Sequence, residues 1–220
     1  MRKYLTELHM HTADSSGCAR VYAKDAVEKY IAEGYDTVVI TDHFQFPMGC
    51  TLEDYNKRYD ILRLGWQEAV KAANGRINVL RGAEMRVKEN DNDYLVFGVD
   101  DAFFTENPQM RTMNIEELCE FVHSKGLLIF QAHPFRVNMT VTDPAILDGV
   151  EVFNGNPRHN SRNSIADTWA DLHGHKKISG SDFHEADDPA IGGIYTDVPV
   201  TDSETLLKIL RSGEYEIKKK

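Results

Sequence analysis

Cysteine is scarce in this chain: Cys18, Cys50 and Cys119 are the whole complement in 220 residues. An odd number at wide spacing makes neither a disulfide framework nor a zinc knuckle, so a reducing compartment fits. Long apolar runs are also missing. No window approaches the ~18 residues of a membrane span, and basic Met1-Arg2-Lys3 is followed by Thr6, Glu7 and His9 where a secretory signal would be apolar. The expected location is the cytoplasm. Positive charge is in deficit, with 25 Lys and Arg against 35 Asp and Glu, a net −10. That excludes a broad footprint for nucleic acid but leaves room for a local basic pocket. No linker, low-complexity segment or repeat divides the sequence, so residues 1–220 are read as one domain. Lys218-Lys219-Lys220 reads as a solvated tail.

What is present is an alternation of strand and helix patterns, the mark of βα units around a parallel sheet. Apolar, β-branched runs at Tyr4–Leu8, Thr37–Ile40, Ile77–Leu80, Leu127–Phe130 and Val150–Phe153, more weakly at Lys177–Ser179, and again around Ile194–Val198, read as strands. Between them, Ala23, Val27, Tyr30 and Ile31 share one helical face, and Tyr55, Tyr59, Leu62, Trp66 and Val70 another. Asn114 with Glu117 has the form of a capping box ahead of Leu118, Phe121 and Val122. Ile165, Trp169 and Leu172, then Leu206, Leu207, Ile209 and Leu210, mark two further helices, stopped by Gly174 and Gly213. Glu89-Asn90-Asp91-Asn92 is a turn leading back through Tyr94–Val99, a hairpin extension. The count is about seven βα repeats, an α/β chain one repeat short of the eight-fold barrel. The loops Phe44–Asp54 and Phe103–Asn114 carry no readable pattern.

Five strand ends deliver metal-seeking side chains: His9 and His11, Asp42-His43, Glu84, His133, and Asp182 with His184. A barrel or open α/β sheet gathers its strand C-termini at one mouth, where active sites sit. Histidines and carboxylates without cysteine suit Zn, Mn or Fe. His9 and His11, two apart on a strand, share a face. Asp42 is an orienting partner of His43 or a cap. Glu84 either bridges two cations or pairs with Arg81 or Arg86. Pro134 keeps His133 out of helical geometry. Asp182 and Ser181 either bind a metal or make local loop hydrogen bonds. Of the other histidines, His123, His173 and His175 read as surface, whereas His159 follows Asn154-Gly155-Asn156-Pro157-Arg158 at a strand mouth.

The segments Glu7-Leu8-His9-Met10-His11-Thr12, Ile40-Thr41-Asp42-His43, Gly82-Ala83-Glu84, Ala132-His133-Pro134, Gly149 to Gly155 and Gly180-Ser181-Asp182-Phe183-His184 resemble, in order and type, the motifs of the polymerase and histidinol phosphatase (PHP) superfamily. The resemblance runs from residue 5 to about 185. It implies a distorted (β/α)7, TIM-like barrel with up to three metals at the C-terminal mouth of its strands, hydrolysing phosphate esters. Position by position, His9, His11, Glu84 and Asp182 would hold one metal, Glu84 would bridge to a second at His133, and His43 and His184 would hold a third. Two positions depart from the pattern. Ser16-Gly17 stand where an Asp or His for the third metal is usual, with Asp14 nearby, and Leu95 stands where a His is common, with Asp93 one pleat away as a substitute.

The expected function is therefore hydrolysis of a small phosphomonoester of histidinol phosphate, nucleotide or phosphotyrosine type, using two to three Zn, Mn or Fe ions. Asp182 serves the water-activating ion, and His184 or His43 protonates the leaving group. Arg136, three residues after His133, is the first choice as phosphate clamp, with Arg20, Arg158 and Asn154 as further substrate contacts. A metal-dependent amidohydrolase also opens on His-x-His but calls for a bridging lysine that no strand exit supplies. A metal-binding module without catalysis is the third reading. The expected partner is a small phosphorylated substrate, with no nucleic-acid polymer, membrane or obligate protein.

Overall fold

The computed structural model describes residues 3–219. Met1 and Arg2 of the basic start and Lys220 of the tail lie outside the described residues. The chain lays down β1 (Tyr4–Met10), α1 (Ala23–Ala32), β2 (Thr37–Ile40), the short β3 (His43–Gln45) and the long α2 (Leu52–Ala73). Thr51 starts α2 with a capping box, its hydroxyl accepting the Asp54 N–H while the Asp54 carboxylate accepts the Thr51 N–H. Next come β4 (Asn78–Arg86), β5 (Tyr94–Phe97), α3 (Asp101–Thr105), α4 (Ile115–Ser124) and β6 (Leu128–Gln131), with the expected Asn114–Glu117 capping box ahead of α4. The last third supplies β7 (Gly149–Asn154), α5 (Asn163–His173), β8 (Lys176–Gly180), β9 (Ile194–Thr196), α6 (Ser203–Ser212) and β10 (Glu216–Ile217). Among the described residues, no helix is long and apolar enough to cross a membrane.

The ten strands form one sheet in the order β10-β9-β1-β2-β4-β5-β6-β7-β8, with β3 beside β4. The segment after β8 returns to β1. Met10 and Phe183 form a parallel bridge, the Asp182 N–H donates to the His9 carbonyl at 2.8 Å, and the His11 N–H donates to the Phe183 carbonyl at 3.0 Å. The result is a nearly closed, distorted barrel. Gly180 makes that closure possible: a Cβ there would stand 2.2 Å from the His9 Cβ and 2.8 Å from Glu151 Oε1. Leu8, Val39, Phe97, Phe130 and Ile178 pack with Leu206 and Leu210 of α6 in one buried cluster. Each such side chain contributes about 1.5–3 kcal/mol on burial.

Four expectations need correction. The hairpin is no extension, because β5 pairs antiparallel with both β4 and β6 and is part of the barrel wall. The two unreadable loops are partly regular: the first holds β3 and the start of α2, the second the end of α3 and a 3-10 turn at Pro108–Thr112. On α5 the buried face is Ala166 and Ala170 against Val150 and Val152, while Ile165 and Leu172 are exposed, as is Val70 on α2. Small alanines let α5 lie close to β7, and contact with the strand, not hydrophobicity alone, decides which face turns in. Finally, Lys218 is no solvated tail residue, since its ammonium donates to the Ala190 carbonyl and stands over the Tyr35 ring.

Candidate metal centre

The mouth of the barrel buries an unusual density of ionisable groups. His9, His11, Glu84, His133 and Asp182 are each no more than 2% exposed. Two strand irregularities aim them, a register shift between Glu7 and Met10 in β1 and another between Glu151 and Phe153 in β7. Two of the five sit in the left-handed backbone region without being glycine, His133 at φ 29° and Asp182 at φ 50°. Such conformations cost on the order of 1–3 kcal/mol and persist where surrounding contacts impose them.

The innermost donors are spaced as an ion would space them. His9 Nε2 lies 3.1 Å from His11 Nε2. Glu84 approaches both, Oε1 at 3.3 Å from His9 Nε2 and Oε2 at 3.3 Å from His11 Nε2. Asp182 Oδ1 lies 3.4 Å from each of the same two nitrogens. A tetrahedral site with bonds of about 2.0–2.1 Å separates its donors by about 3.3–3.4 Å. Glu84 Oε2 also comes within 2.9 Å of His43 Nδ1, yet this buried oxygen has no well-directed hydrogen bond. A buried carboxylate oxygen that crowds two imidazoles without a directed hydrogen bond fits a cation at the centre of the set. The Glu84 carboxylate extends the set, since Oε1 is also 3.2 Å from His133 Nε2. It can therefore bridge to a second ion, and the His133 Nδ1 is likewise buried without a partner.

Electrostatics keep the set ready to bind. Burial opposes charge on Glu84, but the His9 and His43 imidazoles hold its pKa well below the usual range. Asp182 is kept low in the same way, against its burial, by His9, His11, Arg136 and His184. Burial and the neighbouring His184 and His43 rings push His11 well down, so its ring is neutral, the form that ligates. Burial would lower His9 too, but the carboxylates of Glu151, Asp182 and Glu84 outweigh it and raise His9 well above its ordinary value. An ion at this point would displace that proton.

A supporting layer fixes the rings. Glu151 Oε1 lies 2.9 Å from His9 Nδ1, while Oε2 accepts the His133 N–H at 2.9 Å and the Asn154 side-chain amide at 2.9 Å. Sequence reading gave Glu151 no role. The available signal was a lone carboxylate inside the apolar run Val150–Phe153. Ser16, which looked like a missing ligand, is a connector: its hydroxyl donates to Asp42 Oδ1 at 2.6 Å, accepts the His43 N–H at 3.0 Å and lies 3.4 Å from His11 Nδ1. Asp42, also bonded by Thr12, is pushed up by burial to about 6. Asp14 accepts the Ala23 N–H at the start of α1 at 2.7 Å, which commits it to that helix end. Asp93 lies 3.8 Å from His133 Nε2 but is held by a two-point ion pair with Arg86.

A cavity of about 730 Å³ opens over these groups, lined in part by Arg86, Arg136, Asn156, Arg158, His159 and Asp182. Arg136 Nη2 donates to Asp182 Oδ2 at 2.6 Å and Asn154 Oδ1 at 3.0 Å, while its Nε is buried without a partner. Arg158 pairs with Asp188, which leaves it on the rim beside the cavity. Arg20 does not join them, because its guanidinium turns to the Gly17 and Ala19 carbonyls. His43 and His184 are on the rim, 21% and 12% exposed, and ring centroids of 4.4 Å and 4.3 Å to His11 bring the three imidazoles together. Cys18, which sequence reading set aside, stands among them. Partial burial would raise its thiol, but hydrogen bonds with His184 and His43 bring it down to about 6.

The PHP domain model matches residues 7–175 of this chain. No curated protein sequence matches it significantly. Among solved structures, a two-domain protein from Bacteroides vulgatus containing a predicted PHP-like metal-dependent phosphoesterase superposes with a TM-score of 0.69 at 15% identity, covering 97% of this chain and 64% of that one. The chain thus spans just under two thirds of that relative. An amidohydrolase from Chromobacterium violaceum, with bound sulfate and no metal, gives 0.58 at 16%, covering 93% and 96%. A lesion-specific endonuclease from Pyrococcus furiosus gives 0.64 at 14%, covering 98% and 58%. At these identities the likeness is one of fold.

Proposed function

Because the chain belongs to the PHP domain family, we propose that it is a metal-dependent hydrolase of small phosphomonoesters. The observation that carries this reading is the set His9, His11, Glu84 and Asp182, with donors 3.1–3.4 Å apart at the floor of a cavity that Arg136 and Arg158 border. Divalent ions, when bound, supply charge neutralisation of phosphate oxygens and activation of a water.

The chain's own residues do the rest. Glu84 ties the His9–His11 pair to His133, and Glu151 fixes the orientation of His9 and the backbone of His133. Arg136 is the phosphate contact: Asn154 and Asp182 hold its Nη2, and its Nε has no protein partner. His43 and His184 stand on the rim as proton donors to the leaving oxygen or as ligands of a further ion. A volume of about 730 Å³ suits a small substrate, and a net charge of −10 disfavours a polyanion. No lysine lines the cavity among the described residues, which weakens the amidohydrolase reading.

The test is turnover of an aryl phosphate and a panel of phosphorylated metabolites by the purified protein with added Mn²⁺. At least one phosphomonoester is expected to be hydrolysed, and Asp182→Ala should abolish that activity. A metal-loaded protein that turns over no phosphomonoester would sink the reading in favour of a binding module. Hydrolysis of amides alone would favour the amidohydrolase.

A further inference from the structure

The rim holds a second kind of metal-binding chemistry. We propose that Cys18 is a metal ligand, completing with His43 and His184 a three-ligand site for a thiophilic divalent ion such as zinc. This rests on the reading of the mouth as a metal centre and names a ligand that its histidines and carboxylates alone do not supply.

Three observations carry it. His43 and His184 arrive from separate segments with one nitrogen of each ring already engaged, His43 Nδ1 beside Glu84 Oε2 at 2.9 Å and His184 Nδ1 at 2.9 Å from the Asp182 carbonyl. That leaves Nε2 of each ring as the remaining donor. Cys18 stands beside both rings, lining the mouth cavity with them as well as a groove beside Ser16, His43 and Arg58. The third observation is the inner wall of the cluster, where Glu84 Oε2 lies 2.9 Å from His43 Nδ1 and 3.3 Å from His11 Nε2 and so fixes the side from which these rings are held. His11, His43 and His184 also bring donor atoms within 4.8 Å of one another.

The chain path explains the placement. Thr12 accepts the Ser15 and Ser16 N–H groups through its carbonyl, Ser16 accepts the Ala19 N–H through its own, and the Arg20 N–H donates to the His184 carbonyl. This tight turn carries residue 18 to the rim while Ser16 faces inward to Asp42. Chemically the rim set differs from the floor. Two imidazoles and a thiolate with an open position form a Cys-His₂ set, three protein ligands as a catalytic zinc keeps. Soft sulfur favours zinc over manganese, whereas the floor, with two imidazoles and two carboxylates, accommodates either. Occupation by metal would also commit His43 and His184 as ligands and remove them as proton donors.

Cobalt(II) separates the two claims, because a thiolate ligand adds a near-ultraviolet charge-transfer band while any protein-bound cobalt shows weaker visible bands. Metal-free protein is titrated with Co²⁺, and bound cobalt is counted by elemental analysis. The expected result is a charge-transfer band in the wild type that is absent in Cys18→Ser, with one fewer cobalt per chain. Zinc should displace that band, and metal loading should slow alkylation of Cys18. Equal cobalt content in both proteins with no charge-transfer band would overturn the Cys18 assignment and leave the floor reading intact. A band that persists in Cys18→Ser would belong to Cys50 or Cys119 and would overturn it as well. No cobalt bound at all would overturn both.

Discussion

The floor and the rim of the barrel mouth use the same residue types in opposite ways. On the floor, His9, His11, Glu84 and Asp182 are essentially solvent-free and three of them are held from behind, His9 by Glu151, His11 by Ser16 and Asp182 by Arg136 and Asn154. On the rim, His43 and His184 are partly exposed and Cys18 is exposed, on short turns. On the proposed reading, the difference means that ligand identity alone would not set how firmly an ion is held. Pre-oriented buried donors lose little freedom on binding, whereas exposed ones must be ordered when the ion arrives.

The sharpest way to break this comparison is at the floor. Asp182→Ala removes a carboxylate that meets both His9 and His11, and turnover should fall about a thousandfold or more, because the lost interaction acts in the transition state. The melting temperature should shift by only a few degrees. Retained activity in the folded variant would remove Asp182 from the site.

Next in size is Glu151→Gln, which keeps the shape of the side chain but removes the charge beside His9 Nδ1. Metal affinity at the floor should drop about 10–100-fold, the usual effect of losing such a support, while rim cobalt should be unaffected. Chelator competition measures both, and an equal loss at the two places would erase the distinction drawn between them.

Arg136→Ala should raise KM about tenfold with kcat within a few-fold, since a phosphate charge present in both ground and transition states loses its clamp. Steady-state kinetics on the best monoester would show it, and unchanged constants would remove Arg136 from both substrate binding and the support of Asp182. The smallest expected effect is Arg20→Ala, with kinetics within about twofold of wild type. Its guanidinium serves the local turn, and a large KM effect would mean that the turn moves to admit substrate.

The convergence of the candidate ligands was legible because each is a histidine or carboxylate at the end of an apolar run, and strand ends in an α/β barrel meet whatever the loops do. The alternation of strand and helix patterns pointed to a parallel α/β sheet, barrel or open, and the family resemblance made it a barrel. The antiparallel β5 was misplaced because a hairpin turn announces a reversal without saying whether the returning strand stays at an edge or pairs again, as β5 does with β6. The supporting roles of Glu151 and Ser16 were not legible because they act through other residues, and hydrogen bonds between distant segments leave no local pattern. Cys18 was passed over for the same reason: it lies 25 and 166 positions from the rings that it meets, His43 and His184. Arg20 looked suitable by charge and position, and only the carbonyls of its own turn show where it goes.

The central claim is that the floor is the firm metal site of the molecule. Anomalous diffraction from crystals of zinc-loaded protein dialysed into metal-free buffer tests it most directly. The account predicts a fully occupied peak among His9, His11, Glu84 and Asp182, and a weaker one among Cys18, His43 and His184. A full rim peak over an empty floor, or no peak at the floor under any loading, would contradict it.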